Sequence, residues 1–169
     1  MSQLIKDKAL SDDAWQTLEL AENETPEAVA MPAGHVIFPL AVWQARKAEI
    51  IARGNPVGLV IMPDERVEDI AADLGNIALV AVHFPKFVDG RGYSTAALLR
   101  QRYAYTGELR AVGDVLHDQL FFMRRVGFDA YALKAEKDAL YAIAAGFTPF
   151  GDTYQTSTSQ PQPHYRRRA

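Results

Sequence analysis

The chain has 169 residues, of which 49% are hydrophobic, with a formal net charge of -3 and no cysteine. This length suits one domain that can bury a sizeable core. The acidic balance argues against a general nucleic-acid binder, which usually presents a basic face. Without cysteine the chain has no disulfide, no thiolate iron–sulfur cluster and no CxxC redox pair of its own.

The first residues show no signal-peptide pattern. Residues 1–7 lack an apolar core of the required length, and no run approaches the length of a membrane span. We therefore expect a cytoplasmic protein that does not enter a membrane. Residues 1–33 mix acidic residues, prolines and isolated apolar residues, and we expect an irregular N-terminal segment there, apart from a possible short strand at Leu4-Ile5.

From residue 34 onward, apolar runs of strand length alternate with segments of helical periodicity. The first, His35–Phe38, is either a short strand or an extended lead-in to a helix. The further predicted strands are 57–62, 77–82, 108–112 and 128–133. The predicted helices are 40–53, 64–74, 94–103, a segment capped by Asp114 and ended by Gly127, and 136–145.

This succession of strand-then-helix units predicts an α/β protein with a mainly parallel sheet. The unit length permits either an open doubly wound sheet or a half-(β/α)8-barrel, and periodicity does not separate them. We expect a single α/β domain over residues 34–155 and a flexible tail over residues 156–169, which is rich in Ser, Thr, Gln and Pro. A half-barrel would leave an open edge and would favour a homodimer.

The stretch Asp89-Gly90-Arg91-Gly92-Tyr93-Ser94 joins an apolar strand to a helix and is the leading candidate site. Ser94 stands where a helix N-cap is expected. Backbone N–H groups at the helix start, with Arg91 and the preceding Lys86, would bind sulfite, sulfate, phosphate or a nucleotide phosphate. The simpler interpretation is a structural turn in which Asp89 and Arg91 pair with neighbours. The glycine spacing does not fit a dinucleotide-binding GxGxxG.

A second cluster follows the next strand and comprises Arg110, Gly113, Asp114, His117 and Asp118. Asp114 should emerge at the same edge of the sheet as Asp89. Two carboxylates beside Arg91 would serve as acid, base and anion anchor. The simpler interpretation makes Asp114 a helix N-cap.

The remaining ionisable residues give weaker indications of function. The four histidines (His35, His83, His117 and His164) have no pair at metal-ligand spacing, and we expect no metal. The basic run Arg166-Arg167-Arg168 is either a solvated tail or a docking element for an acidic partner.

Two long segments, FPKFVDGRGYSTAALLRQRY and TGELRAVGDVLHDQLFFMRRVGFDAYAL, are similar to the bacterial domain-of-unknown-function family 934. The resemblance extends over roughly residues 38–168 and includes FPLAVWQARKAEI and the PHYRRR ending. Members are commonly described as oxidoreductases of sulfite reduction, which implies an assimilatory sulfite or nitrite reductase as partner. Many members carry a cysteine where this chain has Val126, so a family-wide catalytic thiol there is not expected.

Three functions remain open at this point. The resemblance implies an accessory or oxidoreductase component of sulfite assimilation. The missing cysteines favour a non-catalytic anion- or nucleotide-binding module that assembles with a reductase. The carboxylate pair Asp89 and Asp114 would suit a small acid–base enzyme of lyase or isomerase type. The cofactor stays unknown, and any redox centre would have to be a bound organic group or belong to a partner.

Overall fold

A computed structural model describes residues 3–134, 137–148 and 152–167 of the chain. It is an α/β structure with one eight-stranded sheet and helices between the strands. The strands are β1 Gln3–Lys6, β2 Ala9–Ser11, β3 Trp15–Thr17, β4 His35–Pro39, β5 Val57–Ile61, β6 Ile77–Phe84, β7 Glu108–Gly113 and β8 Ala130–Leu133. The helices are α1 Leu40–Ala52, α2 Arg91–Ala97, α3 Leu120–Val126, α4 Ala139–Gly146 and α5 His164–Arg167.

The strand order is β2-β1-β8-β7-β6-β5-β4-β3. From β3 to β8 each strand runs parallel to its neighbours, whereas β1 pairs antiparallel with both β8 and β2. The predicted mainly parallel sheet is therefore confirmed. The first candidate strand, His35–Phe38, is also a strand and extends to Pro39.

The sheet is curled into a half-barrel, because its two edge strands are close in sequence. If the sheet were flat, its eight strands would span about 34 Å from β2 to β3. Only residues 12–14 join these strands, and such a connection reaches at most about 14 Å. The open doubly wound alternative is thus excluded. The concave face holds Ile37, Leu79 and Ala81, which pack on one another.

We expected residues 1–33 to be irregular, but the described part of this segment supplies three of the eight strands. Strand β1 carries Leu4-Ile5, and both side chains are buried. Strands β2 and β3 have three residues each and are largely exposed. Strand β2 pairs with β1 across the short turn at Asp7-Lys8. Strand β3 pairs with β4 across a long loop, and β1 pairs with β8 far along the chain, which a local pattern does not reveal.

The convex face of the sheet carries the main hydrophobic core under the helices. Helix α1 packs on β4 and β5, and α2 packs on β6. The largest fully buried side chains there include Trp43, Tyr131, Phe38 and Phe84. Among the helices of the described ranges, none has the length and apolar character needed to cross a membrane.

Several predicted helices begin or end elsewhere. The segment expected to be a helix over 64–74 is a 3₁₀ helix, Val67–Asn76. The helix after the glycine-rich stretch begins at Arg91, not Ser94, and continues as a π-helical turn, Leu98–Arg102. Ser94 is therefore an interior helical residue, and its predicted N-cap role is wrong.

Asp114 is not an N-cap either. The chain remains non-helical beyond Asp114, and a short 3₁₀ turn, His117–Gln119, leads into α3. The Gln119 side chain, rather than Asp114, accepts from the backbone N–H of Leu116 at this helix start. Gly127 ends α3, as predicted, and adopts the left-handed conformation.

The last predicted strand and helix are both shorter than expected. Strand β8 begins at Ala130 rather than 128, and α4 begins at Ala139, where the Asp138 side chain accepts from the N–H of Tyr141. The predicted helix start at Glu136 and the last tail arginine, Arg168, lie outside the described residues. Within the tail, the N–H of Thr158 donates to the carbonyl of Arg125 on α3 at 3.0 Å.

Candidate functional site

A pocket of about 280 Å³ opens on the concave side of the curled sheet. Three of its residues, Thr17, Gly113 and Leu133, end strands β3, β7 and β8, and Lys134 follows directly. Because these strands are parallel, the pocket lies at the carboxyl ends of the sheet, where α/β proteins place their ligand sites. Its remaining lining residues are Asp13, Ile37, Arg110, Val112 and Ala132.

Arg110 is the one fully buried charged residue among those the structure describes, with 2% of its surface exposed. It alternates along β7 with Leu109 and Ala111, which belong to the core under the helices, so its side chain lies on the concave face. The alternation of a short strand thus brings a guanidinium into the interior of the curled sheet.

Two carboxylates neutralise Arg110. Its Nε donates to Glu108 Oε1 at 2.8 Å, and its Nη1 donates to Asp13 Oδ2 at 2.8 Å. Glu108 also accepts from the ammonium of Lys6 on β1 at 2.7 Å. Each of these contacts joins residues on the concave face or in the connection between the edge strands. The cluster satisfies the general requirement that a buried charge be paired.

Lys134 stands at the mouth of the pocket and pairs with Asp114. Its Nζ donates to Asp114 Oδ1 at 3.1 Å, and this hydrogen bond lowers the pKa of Asp114. The other oxygen of Asp114 accepts from the backbone N–H of Phe87 at 3.0 Å. Asp114 therefore ties together the loops that follow β6, β7 and β8.

The stretch 89–94 is neutralised by its own charges. Asp89 accepts from Arg91 three times, from the backbone N–H at 3.1 Å, from Nε at 3.0 Å and from Nη2 at 2.7 Å. The side-chain hydrogen bonds from Arg91 lower the pKa of Asp89 to about 2. An external anion at this helix start would have to displace a carboxylate that is already in place.

The glycines of this stretch differ in their surroundings. A β-carbon built on Gly92 would lie 2.6 Å from Phe84 Cζ and 3.0 Å from Val82 Cγ1, whereas Gly90 has open space around it. The ring of Tyr93 packs edge-on against Phe84, with 5.6 Å between the ring centroids. Gly92 and Tyr93 thus fit α2 closely against β6.

The polar residues predicted beside this stretch do not converge on one site. Ser94 is exposed on α2, and Lys86 is exposed and has no side-chain partner among the described residues. His117 packs its ring against Tyr141 at 5.0 Å between centroids, and Asp118 is exposed. Asp89 and Asp114 do emerge at the same edge of the sheet, as predicted, yet each is paired with a different base.

His83 lies on β6 beside the pocket wall. A β-carbon on Gly113 would be 3.1 Å from its Nε2, and its Nδ1 is buried without a hydrogen-bond partner in the described part of the chain. Burial lowers the pKa of His83, so the imidazole is neutral at neutral pH. No group of three or more potential metal-ligating side chains is found within the described residues.

Sequence reasoning selected Arg110 but missed its neighbours in the pocket. Asp13 lay in the segment expected to be irregular, and Lys134 was not singled out. A usable signal existed for Lys134, because it directly follows a predicted strand, 128–133. No such signal existed for Asp13, because its partner Arg110 is 97 residues away in the sequence.

Comparison with curated proteins finds no match to this chain. The model of one protein family matches residues 58–165, which is more than half of the chain and includes the stretch 89–94, Arg110 and Lys134. The protein belongs to the family described as "Bacterial protein of unknown function (DUF934)".

Proposed function

We propose that the protein binds a small oxyanion in the concave pocket and serves assimilatory sulfite reduction as an accessory or oxidoreductase component. The observation that carries the binding proposal is Arg110, a buried guanidinium in the wall of a pocket whose mouth holds a second cation, Lys134. Sulfite, sulfate and phosphate share the chemistry that such a pair of cations recognises.

Arg110 has donors to spare for a ligand. A guanidinium carries five N–H groups. Its Nε donates to Glu108, its Nη1 donates one hydrogen to Asp13, and its Nη2 lies 2.7 Å from Glu108 Oε1 in an ion pair. Each terminal nitrogen therefore keeps a second hydrogen, and hydrogen bonds from an ionised donor to an oxyanion are about twice as strong as neutral ones.

The pocket is a better candidate than the stretch 89–94 on electrostatic grounds. Arg91 is 61% exposed at its side chain and is held in a three-contact pair with Asp89. Arg91 and Arg110 are both paired with carboxylates, but the pair of Arg91 is screened by solvent. Arg110 is desolvated, so a ligand reaching it would gain more from each charge-assisted hydrogen bond.

The link to sulfite reduction rests on the resemblance to a family whose members are described in that role. This chain has no cysteine, so electrons would come from a bound organic cofactor or from a partner. A sulfite or nitrite reductase is the partner we propose, in the cytoplasm. The acid–base alternative gains no support, because the lowered pKa values of Asp89 and Asp114 keep both carboxylates ionised and make them weak bases.

Calorimetric titration with sulfite, sulfate and phosphate tests the binding proposal and its location. Lys134→Gln removes a cation at the pocket mouth, and Lys86→Gln removes an exposed cation beside the stretch 89–94. We expect Lys134→Gln to weaken oxyanion binding about tenfold, which corresponds to the loss of one charge-assisted contact. Lys86→Gln should bind as the wild type does.

The opposite pattern would place the anion at the stretch 89–94, and no binding of any of the three oxyanions would reject the proposal. The cellular role has a separate test. Cells lacking the gene should grow poorly with sulfate as the sulfur source, and the wild-type gene should restore growth better than Lys134→Gln. Equal growth with and without the gene would reject the role in sulfite reduction.

A further inference from the structure

Residues 12–14 form the connection between the two edge strands of the curled sheet, and Asp13 at its centre reaches the buried Arg110. The Asp13 side chain is 23% exposed, whereas that of Arg110 is 3% exposed. Its Oδ2 accepts from Arg110, and its Oδ1 accepts from the backbone N–H of Trp15 at 3.1 Å. Asp13 also lines the concave pocket.

The carboxylate of Asp13 lies beside Arg110, in the place that an external anion would take. Its carboxylate lies on the guanidinium that would bind a ligand, yet it belongs to an exposed three-residue connection rather than to a packed strand. Glu108, the other carboxylate on Arg110, is held differently, because it lies in β7 and is also bound by Lys6. Of the two carboxylates on Arg110, Asp13 is therefore the more exposed one and the one outside a strand.

We propose that Asp13 is a tethered competing anion that restricts the pocket to doubly charged oxyanions. This inference rests on the proposed function, since it concerns the selectivity of the same pocket. Asp13 is a specificity-determining residue: a ligand reaches the full donor set of Arg110 only by displacing its carboxylate.

The selectivity follows from an exchange of charges. A singly charged anion that replaces Asp13 leaves the charge beside Arg110 unchanged, and it competes with a carboxylate whose tether gives it an effective concentration in the millimolar range or above. A doubly charged anion brings one further negative charge between Arg110 and Lys134. Without Asp13 the site keeps three cations, Lys6, Arg110 and Lys134, and two carboxylates, Glu108 and Asp114, and therefore a net charge of +1. A dianion gains twice the Coulomb attraction to this charge that a monoanion gains.

Asp13→Asn isolates the charge of this carboxylate. The amide oxygen still accepts from the N–H of Trp15, so the turn at the start of β3 is kept. Asp12→Asn is the matched control, because Asp12 is the adjacent exposed carboxylate and makes no ion pair in the described ranges. Asp13→Ser is a second neutral variant with a shorter acceptor.

The probes are sulfate and nitrate, titrated into the full chain at constant ionic strength. We expect wild type and Asp12→Asn to bind sulfate and to show no nitrate binding. Both Asp13 variants should bind sulfate about tenfold more tightly and should bind nitrate measurably. If wild type binds sulfate and the folded Asp13 variants match it with both anions, the inference is wrong while the proposed oxyanion site stands. If neither wild type nor the Asp13 variants bind any oxyanion, the proposed function itself fails.

Discussion

Replacing Gly92 with alanine separates a structural role of the stretch 89–94 from a ligand-binding one. The added methyl group would meet the ring of Phe84 at 2.6 Å, and that ring is fixed between Tyr93 and Phe128. We therefore take the overpacking cost at its upper end, about 3 kcal/mol. Alanine recovers about 1 kcal/mol through its higher helix propensity. The free energy of unfolding should fall by about 2 kcal/mol, and the melting temperature by roughly 4–8 °C for a domain of this size.

Gly90→Ala is the matched control. Gly90 lies at φ -83°, which alanine tolerates, and no atom lies within 4 Å of the position of its β-carbon. Its unfolding free energy should change by less than about 0.5 kcal/mol, since the loss of backbone entropy in the unfolded state offsets a weaker cap. Urea unfolding measures both variants, and sulfate titration follows. A stable Gly92→Ala protein, or a Gly90→Ala protein that folds but no longer binds oxyanions, would refute the structural interpretation.

Two other predictions concern the same edge of the sheet. Gly113→Ala should destabilise the fold by about 1–3 kcal/mol in urea unfolding, because Gly113 has φ +95° and an added β-carbon would collide with the Phe84 carbonyl. Gly75→Ala is the control, because Gly75 has open space around it. Equal stability of the two variants would contradict the prediction. Asp89 has a lowered pKa in the folded state, so its stabilising pair with Arg91 is present above about pH 4 and is lost as the pH falls towards 2. A carboxyl NMR titration should show the Asp89 pKa near 2 and a clear rise in Arg91→Ala; a pKa indifferent to Arg91 would disprove the pair.

The parallel part of the fold could be predicted because the apolar residues of each strand show from the local sequence that the strand is buried. Strands β5 and β6 are covered on both faces, and their continuous apolar runs reflect this directly. The three N-terminal strands gave no comparable signal. β2 and β3 are short and exposed, and β1 is held by β8, with Leu4 opposite Ala132. Pairing over such a distance is decided by tertiary contacts, not by local periodicity.

The sequence could not distinguish an open sheet from a half-barrel for the same reason. It depends on finding β2 and β3 at opposite edges while only three residues join them. A reader of the sequence sees this segment as polar and irregular. The curl then decides the site, because it brings Thr17 of β3 to the same pocket as Ala132 of β8.

The edge location of Asp89 and Asp114 could be predicted from chain order alone, because consecutive parallel strands are usually neighbours. Their roles could not, since each role depends on a partner. Arg91 is two residues from Asp89, so that pair was at least anticipated. Lys134 is twenty residues from Asp114, and the backbone N–H of Phe87 is 27 residues away. Neither contact leaves a pattern in the sequence.

The stretch 89–94 now has a physical explanation that requires no ligand. Gly92 permits close packing on Phe84, Asp89 and Arg91 neutralise each other at the helix start, and the loop before them is fixed through Phe87 to Asp114. The same Asp114 holds Lys134 at the mouth of the pocket. Asp114 therefore links the loop before the stretch 89–94 to Lys134, one of the two cations of the proposed oxyanion site. In this fold the distinctive stretch 89–94 and the proposed oxyanion site are different sets of residues, and Asp114 connects their surroundings.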